Sequence, residues 1–162
     1  MGPDEIAKMI ERGTQMLQKH FVDFSDADML VRPVPNANHA AWQMAHLANS
    51  QIMATKAVAP EAVISVPANF AESHTKEAAA SDDPARFPNK ATVLKILEDV
   101  KNAQVSALKK MTNEDLAKPG PEKARGYADT IGQLLLMGPM HSAMHAGQIQ
   151  VIRRKLGKPV LF

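Results

Sequence analysis

Four stretches of the chain carry apolar residues at helical spacing, and this periodicity most constrains the fold. They cover residues 3–21, 36–58, 89–111 and 130–156. In each stretch apolar side chains recur every three or four residues, which places them on one face of an α-helix. Such faces must be buried, because isolated helices of this length are marginal in water. Only 4% of the residues are aromatic, which also favours helices over strands. The sequence predicts an all-α chain, an antiparallel four-helix bundle forming a single domain over residues 1–162.

Capping signals set the expected helix ends. Asn36 or Asn38 is predicted to cap the second helix. Thr130 followed by Gln133 matches a capping box at the start of the fourth helix. Gly157 comes directly after the last apolar residue of that helix and predicts its end.

Residues 59–89 interrupt the helical pattern with four prolines. A connection of this length is unusual in a compact chain and often has a function, such as a lid or a crossover. We expect a crossover with a short helix in "FAESHTKEAAA" (70–80) and a new helix capped by Asn89. Residues 112–129, which contain Pro119, Gly120 and Pro121, are predicted to form a surface loop.

Composition excludes several classes of site. The chain has no cysteine, so disulfides, thiolate ligands and a cysteine nucleophile are impossible, and any metal must bind His, Asp, Glu or backbone oxygen. The net charge of +2 does not support nucleic-acid binding, and the cations around "RRKLGK" suit the negative end of a helix. No apolar run reaches the roughly 20 residues of a membrane span. We therefore expect a cytoplasmic protein with no nucleic-acid or membrane partner.

Two histidines on the fourth helix form the clearest functional signal. His141 and His145 are four residues apart, so both imidazoles project from one face and can reach the same ion. Their face continues with Ile149 and Ile152 and should turn toward the core, where two imidazoles need partners. The pair alone leaves two readings open, a metal site or hydrogen-bonded structural histidines.

A third ligand should come from another helix. His46 is the best candidate, because it lies mid-helix among small and apolar residues and shares its face with Trp42 and Asn49. His39 is an alternative on nearly the same face, but its place at the helix start suggests exposure. His20 is expected at the surface, and the remaining histidine, His74, lies in the irregular connection.

Two segments carry a family resemblance. "WQMAHLANSQ" in the second helix and "HSAMHAGQIQVIRRKLGKP" in the fourth resemble the DinB-like (DNA-damage-inducible, YfiT-related) superfamily, whose late pattern is His-x-x-x-His-x-Gly-Gln. The resemblance implies an up-down-down-up bundle, commonly a homodimer, with a metal held by His46, His141 and His145. Gln148 of the late pattern is a candidate to hydrogen-bond the metal ligands. Trp42 and Asn49 are candidate pocket residues. Gly147 is expected to let another helix approach closely.

The resemblance implies a reaction class without fixing it. Relatives include thiol-dependent S-transferases and isomerases, and metal-dependent hydrolysis has been suggested for others. The expected cofactor is a divalent zinc, nickel, iron or manganese ion. The expected substrate is a small molecule, with a low-molecular-weight thiol as one candidate. A non-catalytic metal-binding or small-molecule-binding dimer of stress-response type remains the alternative, as does a metal-free structural dimer. The sequence identifies no general base.

Overall fold

A computed structural model describes residues 1–161, and they form helices joined by turns. The four long helices are α1 (Pro3–Lys19), α2 (Ala40–Val58), α4 (Lys90–Leu108) and α6 (Ile131–Lys155), with two short helices, α3 (Lys76–Ala79) and α5 (Asn113–Ala117). Single 3₁₀ turns occupy Asp28–Leu30, Phe70–Glu72, Pro84–Arg86 and Glu122–Ala124. Over these residues the sole β pairing is an isolated bridge between Pro119 and Thr130. The predicted all-α class is confirmed.

The first and last helices of the bundle, α1 and α6, run in the same direction. Near their starts, a side-chain carbon of Ile6 lies close to Gly132, and further along Gly13 faces Pro139. Residue numbers therefore rise together along the two helices.

The middle helices, α2 and α4, also run parallel to each other. The rings of His39 and Phe87 meet at their starts, with centroids 4.7 Å apart. Near their ends the Gln104 amide donates to Thr55 Oγ1 at 3.1 Å.

The two parallel pairs are antiparallel to each other. Along α2 and α6, Gln43 contacts His145 whereas Gln51 contacts Ser142, so numbers rise on one helix as they fall on the other. Helix α1 packs against α4 in the same antiparallel manner. The bundle is thus up-down-down-up, as the sequence resemblance predicted.

The helix ends follow the capping signals with one exception. Asn89 and Thr130 cap α4 and α6 as predicted, and Gly157 adopts φ 68° just after α6. Helix α2 is capped by His39, whose Nδ1 accepts the Trp42 backbone N–H at 3.1 Å. The prediction of an asparagine cap was wrong, because an imidazole nitrogen can accept the same hydrogen bond as a side-chain oxygen.

Two histidines expected at the surface are buried. His39 is covered by the crossover, whose Ser81 carbonyl lies 2.9 Å from its Nε2. His20 is also buried, with Nδ1 2.8 Å from the Met16 carbonyl, and it lies where Arg153 crosses the end of α1. The expectation of exposure failed because it considered only position along one helix, whereas other segments cover both ends.

Arg153 lies in the last turn of α6, where cations were expected to suit the negative end of the helix. Its guanidinium is buried and makes a two-pronged ion pair with Asp23. It also donates to the carbonyls of His20 and Pro159. Arg153 therefore ties the C-terminal tail to the turn after α1.

One of the two long connections between helices contains more structure than predicted. The crossover forms a turn and helix α3 within residues 70–80, as expected. Residues 112–129 were predicted to be a surface loop, but they include helix α5 and bury Leu116, Ala124 and Ala128. In the described part of the chain no helix has both the length and the hydropathy to cross a bilayer.

Candidate metal centre

The antiparallel contact of α2 and α6 brings three histidines together. His145 Nε2 lies 3.0 Å from His141 Nε2. The ring of His46 sits across from both, with centroid distances of 5.1 Å to His141 and 5.7 Å to His145. One nitrogen from each ring falls in a group whose members all lie within 4.8 Å of one another. The structure therefore places the three predicted residues around a common point.

A glutamine of α2 fixes the orientation of His145, the most buried of the three imidazoles. Gln43 Oε1 lies 3.0 Å from His145 Nδ1, and Gln43 Nε2 donates to the Asn38 carbonyl at 2.7 Å. The carbonyl can only accept, so the amide nitrogen must face it and the amide oxygen must face the histidine. His145 then carries its proton on Nδ1 and keeps the Nε2 lone pair toward His141. This is the arrangement that metal-binding histidines use.

The ring of His46 is held by Trp42. The two rings are stacked, with centroids 4.9 Å apart and planes within 5°. The indole N–H of Trp42 donates to the Thr75 carbonyl at 2.8 Å, so the crossover in turn fixes the indole. Trp42 therefore packs against His46 and connects it to the crossover.

Burial keeps the three imidazoles neutral. Desolvation lowers the pKa of His145 to about 4, helped by the neighbouring His141 and His46. Desolvation also lowers the pKa of His141, and the neighbouring His46 lowers it by a smaller amount. Burial lowers the pKa of His46 as well, and the charge of His74 lowers it by a smaller amount. At neutral pH all three rings therefore offer lone pairs, which metal binding requires.

The donor set fits a divalent ion. Tetrahedral zinc with Zn–N bonds of about 2.0–2.1 Å separates its ligand nitrogens by about 3.3 Å, close to the 3.0 Å between His141 and His145. Zinc, nickel, iron and manganese all accept imidazole, so these nitrogens alone do not select among them. Because His46 and His141 are only half-buried, the group is open on one side.

Two further predicted site residues, Asn49 and Gln148, also lie on α2 and α6. Asn49 is half-buried on α2, and Gln148 is exposed on α6. The amide that contacts a histidine of the cluster is that of Gln43, in place of Gln148. Among residues 1–161, no other segment comes within 4 Å of where a Cβ of Gly147 would lie. The expected close approach of another helix of this chain was therefore wrong.

Sequence reasoning missed two polar residues near the cluster. Gln43 lies three residues before His46 among buried neighbours, and a polar residue on the buried side of α2 was a usable signal. His74 affects the pKa of His46 from the crossover, and no spacing rule connects it to α2.

A protein-family model matches most of the chain. The model of the DinB superfamily matches residues 9–149, which include all of α2 and α6 as far as Ile149. The chain belongs to the DinB superfamily. The family match covers all three histidines and the whole crossover.

Solved structures share the fold of this DinB-superfamily chain. A conserved protein of Enterococcus faecalis superposes with a TM-score of 0.71 at 19% identity, covering 98% of this chain and 99% of the other. YfiT from Bacillus subtilis, described as a probable metal-dependent hydrolase with an unusual four-helix bundle topology, superposes with a TM-score of 0.67 at 18% identity, covering 97% and 89%. At such identities the likeness establishes the fold alone. No curated protein matches the chain.

Proposed function

We propose that this chain binds a divalent metal ion through His46, His141 and His145 and acts as a metal-dependent hydrolase on a small molecule. The observation that carries the proposal is the convergence of three neutral imidazole nitrogens within 4.8 Å of one another. The description of YfiT as a probable metal-dependent hydrolase with the same bundle supports it.

The protein's own residues prepare the site. Gln43 holds the tautomer of His145 that leaves Nε2 unprotonated, and Trp42 holds the plane of the His46 ring. A divalent ion held by three neutral imidazoles keeps its full charge and supplies Lewis acidity, which makes water a competent nucleophile near pH 7. The half-buried edges of His46 and His141 leave the substrate a way in.

Thiol transfer is the related reaction to test beside hydrolysis. With an ion held by the three histidines, a thiolate of a small molecule would approach by the same open side as water. Because the chain has no cysteine, the sulfur would have to arrive with the substrate. If metal binds and no turnover follows, the chain is the non-catalytic metal-binding protein that the sequence left as the alternative.

We further propose that the chain is a homodimer, as the resemblance implies. Helix α6 supports this, because Met140, Met144 and Val151 lie exposed on one of its faces. Adjacent exposed apolar side chains of this kind are typical of protein–protein contacts.

The decisive experiment measures metal in protein purified without a histidine tag. We expect about one divalent ion per chain in the wild type, and an affinity for zinc more than about 100-fold weaker in His46→Ala and His141→Ala, since a lost ligand costs more than a lost supporting contact. His39→Asn is the matched control, because it removes the histidine that caps the same helix and keeps a capping acceptor. Its zinc affinity should equal that of the wild type.

The same preparations then test turnover. Ester hydrolysis and thiol transfer are measured with metal-loaded and chelated protein, and activity should appear only in the metal-loaded sample. Unchanged zinc affinity in His46→Ala, or activity that survives chelation, would contradict the proposal.

A further inference from the structure

The crossover brings a fourth histidine to the neighbourhood of the cluster. His74 is half-buried and lies between the turn Phe70–Glu72 and helix α3. The next residue, Thr75, accepts the indole N–H of Trp42 at 2.8 Å, and Trp42 stacks on His46. His74 is therefore one residue from the contact that joins the crossover to the site. The influence of its charge on His46 agrees with this position.

His74 is near the ligands without being one of them. Among residues 1–161, the group of nitrogens within 4.8 Å of one another has His46, His141 and His145 as its members.

The hydrogen bond of His74 defines which of its nitrogens can take up a proton. Nδ1 lies 3.0 Å from the Phe70 carbonyl. Since a carbonyl only accepts, Nδ1 of the neutral ring carries the proton and Nε2 keeps its lone pair. A ring fixed in this way is a base at Nε2.

The backbone around His74 is held firmly. Ser73 is buried, and its hydroxyl donates to the same Phe70 carbonyl at 2.7 Å. Thr75 accepts the Ala78 N–H at 3.1 Å and so begins α3. An imidazole carried by such a segment has a defined position, which proton transfer requires.

We propose that His74 is the general base and acid of the site, a role that rests on the hydrolase proposed above. In ester hydrolysis, His74 Nε2 takes the proton of the attacking water as the new C–O bond forms at the substrate carbonyl. It then gives that proton to the alkoxide or phenoxide as the bond to the leaving group breaks. The products are an acid and an alcohol or phenol, and His74 returns to its neutral form.

The test compares His74→Ala with Ser73→Ala in zinc-loaded protein, using p-nitrophenyl acetate as the probe. Both substitutions remove a side-chain hydrogen bond to the Phe70 carbonyl, but only one removes the imidazole. We expect kcat to fall about 100-fold or more in His74→Ala and to recover in part with added imidazole. Ser73→Ala should stay within about threefold of the wild type, and all three proteins should bind zinc equally.

A second readout does not depend on turnover. In ¹⁵N spectra of the histidine side chains, zinc should move the nitrogen signals of the three ligands to metal-bound values and leave His74 with those of an unligated ring. Three results would overturn the role of His74: unchanged kcat in His74→Ala, an equal loss in Ser73→Ala, or a metal-bound signal from His74. Absence of hydrolysis by zinc-loaded wild type would overturn the hydrolase proposal on which that role rests. Failure of the wild type to bind zinc would instead overturn the proposed metal site itself.

Discussion

At the scale of single residues, Gln43 has the clearest supporting role. It connects the Asn38 carbonyl to His145 Nδ1 and so fixes both the amide and the imidazole. Without the amide oxygen, His145 could carry its proton on Nε2, the nitrogen that the proposed metal needs.

We expect Gln43→Leu to weaken zinc binding by about 10–100-fold, the usual cost of losing a contact behind a metal ligand. Isothermal titration calorimetry with zinc measures this affinity. Gln104→Leu is the matched control, because Gln104 is an equally buried amide that bonds to Gln51 and Thr55 away from the histidines. The control should lower the free energy of unfolding and leave zinc affinity unchanged. Equal zinc affinity in both variants would contradict the role of Gln43.

Part of the site could be predicted from the sequence because it depends on local spacing. The i, i+4 relation of His141 and His145 fixes their geometry on any helix, and the position of His46 on α2 places it opposite once the helices pack. The structure brings these rings together, while their binding of a metal stays a prediction. Gln43 was missed because its partner, His145, lies on α6. His74 was missed because it lies in the crossover, and no spacing rule places that segment beside Trp42 and His46.

At the scale of helices, the contact between α1 and α6 depends on a glycine facing a proline. A Cβ built on Gly13 would lie 3.2 Å from Pro139 Cα, a backbone atom. Proline at this position leaves a carbonyl of the preceding turn without its usual donor. Helix α6 nevertheless continues through it from Ile131 to Lys155.

We expect Gly13→Ala to lower the free energy of unfolding by about 1–3 kcal/mol, because the two backbones must separate. Gly147→Ala is the matched control on α6, where nothing lies within 4 Å. It should raise stability by up to about 1 kcal/mol, since alanine is the better helix former. Urea unfolding of metal-free protein, at a concentration where light scattering shows the same oligomeric state, compares the two. Equal stabilisation by both substitutions would show that the α1–α6 contact is not tight.

The predicted helices lie where the apolar spacing placed them, but their ends depended on the surroundings. Helix α2 begins at Ala40, later than the asparagines suggested, because His39 supplies the cap. The short helix α5 was missed because its five residues are too few to show a helical periodicity. Its Leu116 is buried by tertiary contacts, which the local sequence does not reveal.

At the scale of the whole molecule, topology explains the long crossover. Helices α2 and α4 are parallel and consecutive among the long helices, so the chain must return along the bundle before α4 begins. Helix α2 has 19 residues, and its length of about 28 Å sets the distance to be covered. The sequence predicted this connection from its length and prolines. What it could not predict is that the crossover would also fix Trp42 and bring His74 to the site.

The proposed homodimer is tested by changing one exposed methionine on α6. Met144 is 52% exposed and shares its face with Met140 and Val151, whereas Met53 on α2 is 54% exposed. A glutamate at the centre of an apolar interface would have to be buried without a partner, so Met144→Glu should shift the protein to monomer. Met53→Glu introduces the same charge at a site of equal exposure and should leave the oligomeric state unchanged. Size-exclusion chromatography with light scattering measures the mass. A wild type with the mass of one chain contradicts the dimer, and dissociation by both substitutions contradicts the placement of its interface on α6.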